Sequence, residues 1–223
     1  IGGNIMVTRK IFDSQIRRLH EDIINMTLMI KDTFGELSYI LKHPDEDRAK
    51  KLVENDRLIN DYQKKIETHC LSLLLEQQPV ASDLRLVSMG LKVVTDLERI
   101  GDQCSDIADI MLQSKFADVY KRLPHIPHMI DDLSEMTSQT YQAFKDDDLD
   151  LAKSTAKQDQ EVNALFIKCK QDVVELIKQD EENVDAYLDY LMIAKHLEKI
   201  GDHIVNVCEW INYNDTGDLD DLK

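Results

Sequence analysis

The sequence is poor in residues that break a chain into turns. Among 223 residues there are only 7 Gly and 4 Pro, and long alternating β-branched runs are absent, which argues against a sheet protein with frequent tight turns. Cysteine is as sparse: Cys70, Cys104, Cys169 and Cys208 form no Cys-x-x-Cys pair, so buried structural thiols in a reducing compartment are expected. No apolar run reaches the roughly 18 residues needed to span a bilayer, and no charged segment leads into an apolar one at the N-terminus, which predicts a soluble, unexported protein. Positive charge is in deficit, with 27 Lys and Arg against 43 Asp and Glu and a formal net charge of −16. Such a surface repels phosphate backbones, and direct nucleic-acid binding is not expected. Gly-rich phosphate loops, a nucleophile elbow, a Rossmann fingerprint and His-Glu-x-x-His are all missing.

What is present is helical periodicity. Ile16, Leu19, Ile23, Met26, Ile30, Phe34 and Leu37 recur at spacings of three and four and predict a first helix from about Phe12 to Leu41. Pro44 ends it and Asp45 can cap the second, which reaches about Glu76 before Pro79 stops it. A third helix starts near Ser82 or Asp83 and runs to about Ser114. Lys115 to Pro127, with Pro124 and Pro127, reads as a linker. Three more helices follow, the fourth to about Lys145, the fifth from Leu149 to about Gln179 and the sixth from Val184 to about Asn212, with an acidic, frayed tail from Asn214. Ile1 to Ile5 precede Met6, which reads as a natural start.

The chain repeats itself. LERIGDQCSDI, Leu97 to Ile107, returns as LEKIGDHIVNV, Leu197 to Val207. Asp47, Ala49, Lys50, Asp56 and Asn60 return as Asp150, Ala152, Lys153, Asp159 and Asn163. The expected fold is therefore all-α, a tandem duplication of a three-helix unit, with repeats at 6–116 and 117–213 and a tail at 214–223.

Each repeated segment sets an acid, a glycine and a second acid at one spacing. Glu98 and Asp102 are about one helical turn apart and project from the same side, as do Glu198 and Asp202. Asp106 and Asp109 extend the first stripe, and Asn206 and Glu209 the second. Like charges at i,i+4 oppose a helix by roughly 0.2–0.5 kcal/mol per pair, and a mid-helix Gly costs about 1 kcal/mol. A divalent or trivalent cation gripped by the carboxylates would offset the repulsion. The plain alternative is a solvated acidic face. The second and fifth helices carry their own i,i+4 polar pairs, Asp56 with Asn60 and Asp159 with Asn163, and neighbouring helices commonly complete an oxygen site in a bundle. His203 points about 100° away from its stripe and is discounted as a ligand.

The twin LERIGD and LEKIGD segments, with QPVASDLRLV (Gln78 to Val87) before the first, resemble the PhoU family of phosphate-uptake regulators over Met6 to about Tyr213. The resemblance implies six long helices arranged as two three-helix bundles side by side, with metal ions in acidic clusters: iron or zinc by family precedent, manganese or magnesium being equally open. It implies Glu98, Asp102 and Asp106 as ligands in the first half and Glu198 and Asp202 in the second, with Asp56 and Asp159 adding from the adjacent helices. Asn60 and Asn163 offer amide oxygens where a carboxylate could stand, and the second half departs further with Asn206 in place of Asp106, so that half should bind more weakly. The implied role is that of a cytoplasmic, homodimeric negative regulator of the phosphate-starvation regulon. It would be an adaptor between the ATPase subunit of the phosphate ABC transporter and a phosphate-sensing histidine kinase, meeting the membrane only through those partners and catalysing nothing. Two rivals stand beside it. A carboxylate-bridged di-metal enzyme of the ferritin-like kind would use Glu-x-x-His, and no glutamate here has a histidine three residues later. A structural helical protein would leave the acids metal-free.

Overall fold

Six helices account for nearly all of the described chain, each carrying an apolar stripe at helical spacing. A computed structural model describes residues 2–77, 81–114, 120 and 122–217. The first repeat comprises α1 (Gly2–Lys42), α2 (Glu46–Gln77) and α3 (Ala81–Gln113). The second comprises α4 (His125–Asp146), α5 (Leu149–Gln179) and α6 (Val184–Thr216), with a 3-10 turn at Glu181–Asn183 ahead of α6.

Most ends lie where the local chemistry puts them. Asp45 Oδ1 accepts the Arg48 amide at 3.0 Å and opens α2, and Asp148 Oδ1 accepts the Leu151 amide at 2.9 Å and opens α5. Three expectations need correction. Helix α1 begins at Gly2, well before Phe12. Helix α4 begins at His125, so Pro127 sits in its first turn, where a missing N–H forfeits no intrahelical bond. Asn214 to Thr216 are helical: Gly217, at φ 80°, closes α6 with its N–H on Tyr213 O at 2.8 Å, a left-handed cap that glycine adopts without steric cost. The expected stop at Pro79, residues 115–119 and 121 of the expected linker and the tail beyond Gly217 lie outside the described residues. Where description resumes, Arg122 Nη1 reaches Asp180 Oδ2 at 2.7 Å and ties the linker's end to the α5–α6 turn. That hydrogen bond, with those from Tyr187 and Asn183, holds the Asp180 carboxyl down at about 2.

The duplication extends further than residue identity shows. Ile23, Met26, Ile30, Phe34 and Leu37 of α1 are buried, and so are Ile126, Met129, Leu133, Thr137 and Thr140 at the same spacing in α4. A histidine–aspartate contact recurs with its partners exchanged: His69 lies 4.0 Å from Asp22 in the first repeat, and His125 lies 3.6 Å from Asp172 in the second. The repeats meet through their first and third helices. Asp96 on α3 meets His203 and Asn206 on α6, while Gln103 and Asp106 meet His196, so α3 and α6 run antiparallel. Lys42 and Ser38 of α1 meet Asp131 and Ser134 of α4 in the same sense. Helices α2 and α5 pack on the flanks, against α1 and α3 and against α4 and α6. All four cysteines are buried and free, and burial pushes the thiols of Cys70, Cys169 and Cys208 up to about 12, which keeps them protonated and inert.

Candidate metal-binding clusters

The i,i+4 spacing on α3 places Glu98 and Asp102 on its boundary stripe, neither in the core nor in open water: their side chains are 15% and 27% exposed. Helix α2 lies alongside and brings Asp56 and Asn60 opposite. Asn60 Nδ2 donates to Asp56 Oδ2 at 2.9 Å. The other carboxylate oxygen, Asp56 Oδ1, is shielded from solvent and meets no donor among the described residues. Burial raises the pKa of Asp56 first, and the charges of Asp102 and Asp106 raise it further. Burial likewise raises Glu98, with Asp102 and Asp56 adding. Asp102 is raised by burial and by Asp106, against the opposing pull of Arg99. The four acids are thus one electrostatic unit spanning α2 and α3. Among the described residues no three acidic, imidazole or thiol side chains converge closely enough to hold an ion in the geometry shown.

Counter-ions that pattern reading passed over occupy the stripe. Arg99 Nη1 lies 3.1 Å from Asp102 Oδ2, and its Nε 3.6 Å from Glu98 Oε2. In the second repeat Lys195 Nζ is 2.6 Å from Glu198 Oε2, and Lys199 Nζ is 2.6 Å from Asp202 Oδ2 and 3.5 Å from Glu198. Their hydrogen bond raises the pKa of Lys199. The signal was in the sequence: a base follows each Glu directly in LERIGD and LEKIGD, and a further lysine precedes the second Glu by three residues.

The two glycines face different guests. A Cβ on Gly101 would come within 2.9 Å of Ile59 Cδ1, whereas a Cβ on Gly201 would come within 2.3 Å of Asp159 Oδ1. Asp159, only 3% exposed, lies in the space a side chain would fill, with Asn163 Nδ2 on its Oδ2 at 2.6 Å. In the first repeat Ile59 fills the equivalent place and Asp56 is less buried.

The third positions of the two stripes turn toward the seam between repeats. Asn206 Nδ2 donates to Asp96 Oδ1 at 2.9 Å, an oxygen that His203 Nδ1 also meets at 2.9 Å. Asp106, 57% exposed, lies 3.8 Å from His196 Nδ1, which meets Gln103 Oε1 at 2.7 Å. The networks are related by the duplication: Asp96 corresponds to His196, His203 to Gln103 and Asn206 to Asp106. His203 does point away from its stripe, into this seam. Asp96, Gln103 and His196 were missed by the sequence reading. Their trace is a polar pair seven residues apart on each third helix, 96 with 103 and 196 with 203, the repeat of an antiparallel helical seam.

A family model of the PhoU domain matches residues 23–111 and again 126–211. The chain belongs to the PhoU family. It is 33% identical over 218 residues to a Clostridium acetobutylicum protein named phosphate-specific transport system accessory protein PhoU homolog, covering 97% of this chain and all of the relative. A Streptococcus pneumoniae protein of the same name is 31% identical over 216 residues, covering 96% and 100%. The crystal structure of the phosphate transport system regulatory protein PhoU from Streptococcus pneumoniae superposes with TM-score 0.85 at 29% identity, over 94% of this chain and 99% of that one. That of PhoU from Pseudomonas aeruginosa gives 0.85 at 27%, over 93% and 100%. Each matched PhoU domain contains one whole cluster: Asp56, Asn60, Glu98, Asp102 and Asp106 in the first, and Asp159, Asn163, Glu198, Asp202 and Asn206 in the second. Among the described residues of this PhoU chain, no helix is long and apolar enough to cross a membrane.

Proposed function

We propose that this chain regulates phosphate uptake as a non-catalytic adaptor, linking the ATPase subunit of a phosphate ABC transporter to a phosphate-sensing histidine kinase in the cytoplasm and keeping the phosphate-starvation response off when phosphate is plentiful. The observation that carries this reading is that relatives named accessory proteins of the phosphate-specific transport system align with both repeats from end to end. The test is affinity capture of the tagged chain from cells grown with and without phosphate. Recovery of the transporter ATPase and the kinase from phosphate-replete cells is expected, and loss of both in every condition would overturn the adaptor role. A homodimer is part of the same proposal and is measured by sedimentation of the purified chain.

The second half of the reading is that the acidic clusters bind cations. Its support is the first cluster: a shielded Asp56 oxygen without a donor among the described residues, and three carboxyls whose pKa values are raised by burial and by neighbouring carboxylates. The donors are all oxygen, which suits hard cations such as magnesium, manganese or iron better than zinc, whose usual ligands include thiolate or imidazole. Asp56, Glu98 and Asp102 would hold the ion in the first repeat, with Asn60 and Asp106 beside them. Asp159, Glu198 and Asp202 would do so in the second, with Asn163 and Asn206. A bound cation would supply the positive charge that Arg99, Lys195 and Lys199 provide here. Helices α2 and α3 would then be tied through shared ligands, fixing the surface they offer to a partner. Elemental analysis of protein purified without chelator, beside the Glu98→Gln/Asp102→Asn variant, tests it: equal and negligible metal in both samples favours a metal-free platform.

A further inference from the structure

Where α4 turns into α5, a cavity of about 340 Å3 opens between the two repeats, bounded by α1, the start of α3, the α4–α5 turn and the end of α6. Its volume is at the lower end of the range of roughly 300–1,000 Å3 typical of small-molecule sites. Met89, Phe144 and Ile211, all buried, give it an apolar floor. Arg85 enters from α3. Its Nε is shielded from solvent and meets no acceptor among the described residues, although Asp147 and Asp215 line the same cavity. On the opposite wall the His20 ring stacks on Phe144 at 5.6 Å between centroids, and its Nε2 lies 3.7 Å from Asp147 Oδ1. Asp147 is 76% exposed, so acid stands at the mouth and the arginine lies inside.

We propose that this cavity binds a small zwitterion with an aliphatic tail, of the α-amino acid class, its carboxylate on Arg85, its ammonium toward Asp147 and Asp215, and its tail on Met89, Phe144 and Ile211. A shielded guanidinium nitrogen without an acceptor is costly, and a ligand carboxylate relieves it. A bare anion is disfavoured by the two carboxylates in the wall and by the net charge of −16. A bare cation would leave Arg85 unanswered. The site also breaks the internal symmetry: the positions matching Arg85, Met89 and Phe144 at the other end are Asp185, Asp189 and Leu41. This separates it from the duplicated acidic clusters, and the inference stands independently of the phosphate and metal readings.

The test is thermal shift and calorimetry on the intact chain, with L-leucine and L-methionine as probes and 4-methylpentanoate, isopentylamine and inorganic phosphate as half-charged or tail-less controls. At tenfold excess over Kd a probe should raise Tm by roughly 3–5 °C, and each control should bind at least about tenfold more weakly than L-leucine, the loss expected for one charge-assisted contact. Arg85→Met should weaken L-leucine by roughly ten- to a hundredfold. Asp147→Asn, which preserves a backbone position at φ 53° that asparagine tolerates, should narrow the preference for L-leucine over 4-methylpentanoate. That variant carries the test if Arg85→Met does not fold. The proposal is overturned if neither amino acid binds saturably, if 4-methylpentanoate or phosphate binds as tightly as L-leucine, or if folded Arg85→Met binds L-leucine unchanged.

Discussion

Carboxyls whose pKa is raised by burial and by nearby acids store unfavourable energy in the folded state, and that energy has a pH signature. In Asp56, Glu98 and Asp102 the folded values lie above the ordinary carboxyl range. The folded chain therefore holds these protons more tightly than the unfolded one, and stability is lost as pH rises through the raised values. In EDTA, Glu98→Gln/Asp102→Asn should melt above the native protein at pH 7 by about 1–4 °C, equivalent to roughly 0.5–1 kcal/mol after allowing for partial exposure, and the gap should close as pH falls to about 4. With manganese or iron present the order should reverse, because only the native protein would gain from the ion. The glycines make a second contrast. Gly201→Ala drives a methyl into Asp159 Oδ1, a buried carboxylate pinned by Asn163, and should cost about 1–3 kcal/mol in urea denaturation. Gly101→Ala meets Ile59 at Cδ1 and, less closely, at Cγ2 but gains up to about 1 kcal/mol of helix propensity, so its net cost should be smaller than that of Gly201→Ala.

At the scale of the helix, what was legible was whatever local chemistry decides. Helix α5 was read at both ends, Leu149 and Gln179, because Asp148 caps it from the side chain and the acidic turn at Asp180 ends it. Asp148→Ala should accordingly cost about 1 kcal/mol, read as a lowered urea midpoint with unchanged slope. Two ends lie beyond the apolar pattern, which weakens before Phe12 and after Asn212: α1 reaches back to Gly2, and α6 runs on to the glycine cap at Gly217. The acidic pairs were legible because i,i+4 spacing fixes their face on any helix. What shares that face across a groove depends on packing between elements, so the pattern placed Asp56 and Asp159 alike, while Ile59 fills the glycine notch in one repeat and Asp159 fills it in the other. Residue matching by letter likewise overlooked α1 and α4, whose kinship lies in burial and in the exchanged Asp22–His69 and His125–Asp172 pairs.

Across the whole molecule, the seam explains why the repeats are no longer interchangeable. An ancestor with two identical repeats would have placed each third helix against its own copy, so that position 96 met positions 103 and 106 of its partner. With the residues of the present first repeat, that arrangement sets Asp96 against Gln103 and Asp106, a like-charge opposition made twice. With those of the second it sets His196 against His203 and Asn206, a set that contains no carboxylate. In the intact chain the two sequences are complementary: Asp96 receives His203 and Asn206, and His196 receives Gln103 and lies near Asp106. Like charges facing across an interface cost up to several kcal/mol. Expressed separately, the second repeat should therefore self-associate at least about tenfold more tightly than the first at pH 7, and mixing the two should favour the heterodimer over either homodimer. Sedimentation of each half and of the mixture reads this directly. Asp96→Asn with Asp106→Asn should bring the first half up to the second, since it removes the repulsion and leaves the shape of the seam intact. Equal self-association of the unmodified halves would mean that apolar burial alone holds the repeats together.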